Sequence, residues 1–127
     1  MKKSMRLFLI LLIVSVLAFS AAMAAESVSF SFKDRTTSCW GTSGSIQRAG
    51  NNWNIEITSI TNHGVGRVFR ESDYAWGSGL YTYGPNTTGK RAAKKYTGIG
   101  GSDVVVWRMR QDTDYSGAFS CSGVFYP

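Results

Sequence analysis

The sequence predicts an all-β fold: a small antiparallel β-sandwich of about seven or eight short strands, preceded by a cleaved signal peptide. Three observations predict it. The last run, residues 115–126 (YSGAFSCSGVFY), alternates, with Tyr115, Gly117, Phe119, Cys121, Gly123 and Phe125 on one face and serines and Ala118 on the other. Successive strand side chains point to opposite faces, so this reads as a half-buried strand with its aromatic face inward. Residues 53–61 (WNIEITSIT) alternate in the same way, with Trp53, Ile55 and Ile57 inward. Gly- and Asn-rich turns separate runs of this kind along the chain, and no long helical period interrupts them beyond the leader.

The leader comes first. Lys2, Lys3 and Arg6 give a positive start, residues 7–19 are apolar, and Ala22-Met23-Ala24 fits a small-x-small cleavage site. The expected division is a signal peptide over residues 1–24 and one secreted domain over residues 25–127, extracellular or held at the cell surface. The apolar run is too short for a spanning helix, so no transmembrane segment is expected after cleavage. Three of the 14 Lys and Arg lie in the leader and none of the 8 Asp and Glu do, so the mature charge falls from +6 to +3. A mildly basic exported domain makes no case for nucleic acid. It suits an anionic cell-wall polymer, a glycan or an extracellular protein.

Residues 28–32 (VSFSF) form the first strand, and Lys33 and Asp34 a turn. Residues 35–40 are a second, Thr- and Ser-rich strand that residues 45–48 extend. Residues 49–52 (AGNN) give the clearest turn, because Gly and Asn tolerate positive φ. In the strand that follows, Ile60 breaks the alternation and marks a bulge or the strand's end. Residues 62–64 turn into a strand over 65–71, residues 72–79 are loop, 80–83 a short strand and 84–89 a turn around Pro85. Residues 90–97 (KRAAKKYT) have helical propensity but are too short to stand alone, so they read as an edge strand guarded by lysines. Residues 104–110 (VVVWRMR) are a strong strand.

Cys39 and Cys121 are the two cysteines, and in an exported chain they read as one disulfide. It would staple the last strand to the first part of the domain, worth roughly 4–5 kcal/mol by loop-closure entropy. Two free thiols or half a metal site are the alternatives.

Catalytic readings are weak, and the chain is expected not to be an enzyme. His63, the one histidine, sits between Asn62 and Gly64 in a turn, a poor setting for a base in a nucleophilic triad. No Cys, His and carboxylate cluster suits a metal, and no cofactor is implied. Glu56, Glu71 and Asp73 could pair as hydrolase carboxylates only by chance proximity. Asp112-Thr113-Asp114 lacks the later ligands of a calcium loop and reads as an Asx turn.

Two stretches are candidates for binding. Tyr74 and Trp76 lie in a Gly/Ser/Asp loop with Tyr81 and Tyr83 close behind, and flat rings with polar handles suit sugars or peptides. Arg70 and Asp73 could add hydrogen bonds; the plainer reading has these rings capping the open end of the sandwich. Lys90, Arg91, Lys94 and Lys95 form the densest charge, a basic surface for teichoic acid, anionic lipid or an acidic partner, or simply a solvated edge.

The run IQRAGNNWNIEITSIT, the following GRVF and the ending VVVWRMRQDTDYSGAFSCSGVFY resemble an uncharacterised family of small secreted proteins from Gram-positive bacteria and their prophages. Trp53, Ile55, Ile57 and Thr58 match its W-x-V/I-x-hydrophobic-T strand. Asp114, Tyr115, Gly117, Gly123 and Phe125 match its ending approximately. The resemblance covers the chain from about Ser45 onward and leaves out the Cys39–Cys121 pair. It implies secretion and a β-sandwich and assigns no site residues. The expected function is a secreted, non-enzymatic binding domain. The alternative is a bacteriocin-like antagonist of competitor envelopes, which the lack of a long amphipathic helix disfavours.

Overall fold

Alternation of apolar and polar residues builds nine strands in the computed structural model, which describes residues 26–127. The expected signal peptide lies outside the described residues. The strands are β1 (Val28–Arg35), β2 (Gly41–Thr42), β3 (Ile46–Gln47), β4 (Asn52–Thr61), β5 (Gly64–Arg70), β6 (Tyr81–Tyr83), β7 (Lys94–Lys95), β8 (Val104–Gln111) and β9 (Phe119–Tyr126). They form two antiparallel sheets. One has the order β1-β9-β4-β7; the other runs β2-β8-β5-β6, with β3 also on β8. The all-β sandwich read from the sequence is the fold observed.

The two inner faces meet in an aromatic core. Trp53 of β4 and Trp107 of β8 lie 5.4 Å apart between ring centroids, and Trp107 stacks on Phe125 of β9. Trp53, Trp107, Phe119, Phe125, Ile57, Met109, Val68 and Val105 are fully buried. Such rings dominate the apolar area removed from water in so small a domain. Edges face edges across the sandwich. β1 lies against β2, and Lys94 of β7 reaches Tyr81 of β6, its ammonium 4.2 Å from the ring centroid.

Four details differ from the sequence reading. The bulge in β4 falls between Ile57 and Ser59, leaving Thr58 out of the ladder register while its hydroxyl donates to the Ser122 carbonyl at 3.1 Å, and the strand continues to Thr61. The extra residue resets the alternation, which returns Ile60 to the inner side opposite Cys121. The last strand begins at Phe119, not at Tyr115. Gly117 has φ +91°, and Asn62 Nδ2 donates to the carbonyls of Ser116 and Gly117, so these residues turn rather than extend. Of residues 90–97 only Lys94 and Lys95 are strand, paired on the edge of β4. Residues 36–40 are not strand; β2 begins at Gly41.

The expected disulfide is absent: both thiols are free. Cys121 is buried in β9 opposite Phe32 and Ile60, whereas Cys39 is exposed in the turn after β1. That turn is fixed by Cys39 N–H donating to the Thr36 carbonyl, and the Arg35 guanidinium donates to Cys39 Sγ at 3.4 Å. One sulfur belongs to the core and the other to the surface. Burial pushes the Cys121 thiol up to about 12.

Candidate functional site

The alternation that packs one face of β5 and β8 on the core turns the other outward, where Val65, Phe69 and Val106 are nevertheless buried. Gly64, Gly66 and Val68 of β5 face the core, so Val65, Arg67 and Phe69 face out. On β8 the outward set is Val104, Val106, Arg108 and Arg110. The register sets Arg67 directly opposite Arg108, and Val65 opposite Arg110. Like charges directly opposite on a sheet destabilise it. Among the described residues, none of these three arginines has a carboxylate within 4.0 Å.

Aromatic rings separate the arginines instead. The Arg67 guanidinium lies 3.8 Å from the centroid of Trp76. Arg108 lies amid three rings, 4.6 Å from Tyr74, 5.1 Å from Phe69 and 5.4 Å from Trp40, and its Nε donates to Thr42 Oγ1. Arg110 sits 5.1 Å from Trp40. The result is an open platform of flat cations and flat rings. Trp76 is 64% exposed and Tyr74 51%. Arg67 Nε is buried without a hydrogen-bond partner, and desolvation lowers the pKa of this guanidinium.

The loop that carries Tyr74 and Trp76 is held by Arg70 and Asp73. Arg70 grips Asp73 through two bonds, Nε to Oδ1 at 2.9 Å and Nη2 to Oδ2 at 2.8 Å, and adds Asp103 at 3.4 Å. The guanidinium holds the Asp73 carboxyl down at about 2, well below the usual carboxylate range. Backbone bonds from Arg70 N–H to the Ala75 carbonyl and from Gly77 N–H to the Val68 carbonyl fold the segment back on β5, so Trp76 bridges Phe69. Buried Ser78 Oγ accepts from Val68 N–H and locks the return. Tyr74 has φ +54°, an uncommon conformation for a bulky residue, and it presents the ring beside Arg108.

The structure therefore divides the residues singled out in the sequence. Tyr74 and Trp76 lie on the platform, and Arg70 and Asp73 position their loop. Tyr81 and Tyr83 lie on the other side of β5, opposite Gly66 and Gly64, and pack toward the core against Trp53 and Trp107. The basic run joins these two tyrosines. Ile55, Tyr81, Tyr83, Lys90, Arg91 and Lys94 line a cleft of about 500 Å³ between β6 and β7, while Lys95 is outside its lining. Arg91 is fixed there by Asn54 Oδ1 at 2.9 Å, by the Tyr126 ring at 3.8 Å and by Glu56 at 3.7 Å. Tyr83 is buried enough that its phenol pKa is raised far above its ordinary value, and its hydroxyl has no partner among the described residues.

Sequence reasoning missed Trp40, Arg67, Arg108 and Arg110 as site residues. A signal was present: Arg67 interrupts the apolar phase of Val65 and Phe69, and Arg108 and Arg110 continue the phase of Val104 and Val106, where an apolar residue would be expected. Elsewhere, His63 stacks on Tyr115 at 3.7 Å with Asp112 and Asp114 nearby, and Asp112 Oδ1 accepts from Asp114 N–H in an Asx turn. Among the described residues no group of three or more His, Cys, Asp or Glu could hold a metal ion, and no helix is long and apolar enough to cross a membrane. Searches against protein-family models, curated proteins and solved structures find no match.

Proposed function

We propose that this protein is a secreted, non-enzymatic binding domain whose outer sheet face holds an anionic polymer of the cell surface, such as an acidic glycan or a polyol-phosphate wall polymer. The observation that carries this reading is the juxtaposition of three carboxylate-free arginines with exposed Trp76 and Tyr74 on one open sheet face. Guanidinium groups recognise phosphate and carboxylate through paired, charge-assisted hydrogen bonds. Aromatic faces take the apolar sides of sugars and add cation–π support. An open face admits a chain of indefinite length, as a polymer requires. The sequence of the leader and the resemblance to small secreted proteins of Gram-positive bacteria support a location outside the cell.

Calorimetry with poly(glycerol phosphate) and with a neutral glucan tests the reading. The phosphate polymer should bind, the glucan should bind far more weakly, and Arg108→Gln should weaken the phosphate polymer about tenfold, the worth of one charge-assisted contact. Equal binding of both polymers, or an Arg108→Gln variant as tight as wild type, would remove the platform from the account.

A further inference from the structure

We propose that the cleft between β6 and β7 is a second binding site, separate from the platform, which takes a small molecule joining a ring to an anionic group. The site follows from how the chain crosses between sheets. β6 is the edge of one sheet and β7 the edge of the other, and residues 84–93 pass from the first to the second. This crossover roofs the open side of the sandwich instead of filling it. About 500 Å³ remains beneath, within the range of small-molecule pockets.

The roof is pinned near its middle. Gly89 N–H donates to the Ile57 carbonyl at 2.8 Å, and Arg91 is tied to Asn54 and laid on Tyr126. A cleft held open in this way needs little ordering when a ligand enters. Its chemistry is two-sided. Ile55, Ala92 and the rings of Tyr81 and Tyr83 supply apolar wall, whereas Lys90, Arg91 and Lys94 supply positive charge. The single carboxylate among the ion pairs here, Glu56, is paired to Arg91; Lys90 and Lys94 have none within 4.0 Å among the described residues. Lys94 is held instead over the Tyr81 ring, at the place where an anion above an aromatic wall would meet it. Apolar walls select a ring, and the cationic rim selects its anionic substituent. The concave form of the cleft separates this ligand from the polymer assigned to the flat platform.

Amide chemical-shift titrations of the isotope-labelled domain decide the matter, with phenyl phosphate, inorganic phosphate and benzyl alcohol as probes. Phenyl phosphate should give saturable shifts confined to Ile55, to Tyr81–Tyr83 and to residues 87–94. It should bind about tenfold more tightly than either fragment, because each fragment forgoes one of the two contacts. Lys94→Gln should weaken phenyl phosphate about tenfold and leave benzyl alcohol unchanged. Ala92→Phe keeps every charge but fills the cleft, and should abolish binding, while Trp76→Ala on the platform should have no effect. Shifts spread over all surface lysines, phenyl phosphate no tighter than inorganic phosphate, or intact binding in Ala92→Phe would each overturn the proposal. The wild-type ranking of the three probes tests the proposal even where a variant fails to fold.

Discussion

Gly66 of β5 is one of the tightest contact points of the fold, and Gly66→Ala should destabilise the domain by about 2 kcal/mol. A Cβ built at Gly66 would overlap Trp107 Cζ2, and would lie 2.6 Å from Cη2 and 3.1 Å from Met109 Cγ. Trp107 has nowhere to withdraw: it is fully buried, with Trp53 at 5.4 Å, Tyr83 at 5.8 Å and Phe125 at 6.1 Å. Overpacking of this kind costs about 1–3 kcal/mol, and a rigid aromatic neighbour puts the cost at the upper end. Against it stand about 0.8 kcal/mol for burying one methyl and about 0.5 kcal/mol from the stiffer unfolded chain. The net loss corresponds to a melting temperature lower by about 10 °C. Urea unfolding followed by tryptophan fluorescence measures it, with a lower midpoint and an unchanged slope. Trp107→Phe removes the six-membered ring atoms that collide, so in that background Gly66→Ala should cost less than about 1 kcal/mol. A Gly66→Ala variant within about 0.5 kcal/mol of wild type would refute the packing described for the core.

Other expectations follow from the thiols, the platform loop and the bulge. At pH 8 a thiol reagent should modify one cysteine of the folded domain, Cys39, and both after denaturation, because burial pushes Cys121 up to about 12 and leaves almost no thiolate; no reaction in denaturant would mean that a disulfide exists after all. The Asp73 carboxyl, held at about 2 by Arg70, contributes order to the loop above its unfolded pKa of about 4 and loses it as pH falls through about 2. A carbon-detected titration should place its midpoint near 2, and Asp73→Asn should remove the acid change in Trp76 fluorescence; a midpoint near 4 would break the link. Deleting Thr58 should turn β4 into a regular strand that keeps Ser59 opposite Ser122 and Ile60 opposite Cys121, so the midpoint in the same urea assay should change little; a loss of several kcal/mol would show that Thr58 is not simply the extra residue of a bulge.

Period-two alternation made the central strands legible, because burial of one face against the other sheet is what the alternation records. The residues 53–57 and 119–125 are read correctly for that reason, and Trp53 and Phe125 do lie in the core. Alternation failed where it had no sheet to serve. Tyr115 and Gly117 continue the apolar phase of β9, yet Tyr115 leaves to stack on His63, a contact between two loops that no periodicity encodes. The cysteines misled because compartment and count say nothing of direction, and the structure sends one sulfur inward and the other out. The aromatic cluster of residues 69–83 was visible as composition, but its division between two faces was not. That division depends on Tyr81 pairing with Gly66, a register set by tertiary pairing and not by local sequence. The arginines of the platform were overlooked for the same reason: Arg67 and Arg108 are 41 positions apart in the chain and become neighbours only through the β5–β8 ladder.

The most direct measurement is co-sedimentation of the β-sandwich domain with purified Gram-positive cell walls, at low and high salt, for wild type, Trp76→Ala and Lys94→Gln. Trp76 is exposed and stacked only by Arg67 among the described residues, so its loss should spare the fold and remove one wall of the platform. The account predicts wild-type binding that persists in part at high salt, is largely lost in Trp76→Ala and is unaffected in Lys94→Gln. Binding that salt abolishes and Trp76→Ala leaves intact, or no binding at either salt, would contradict it.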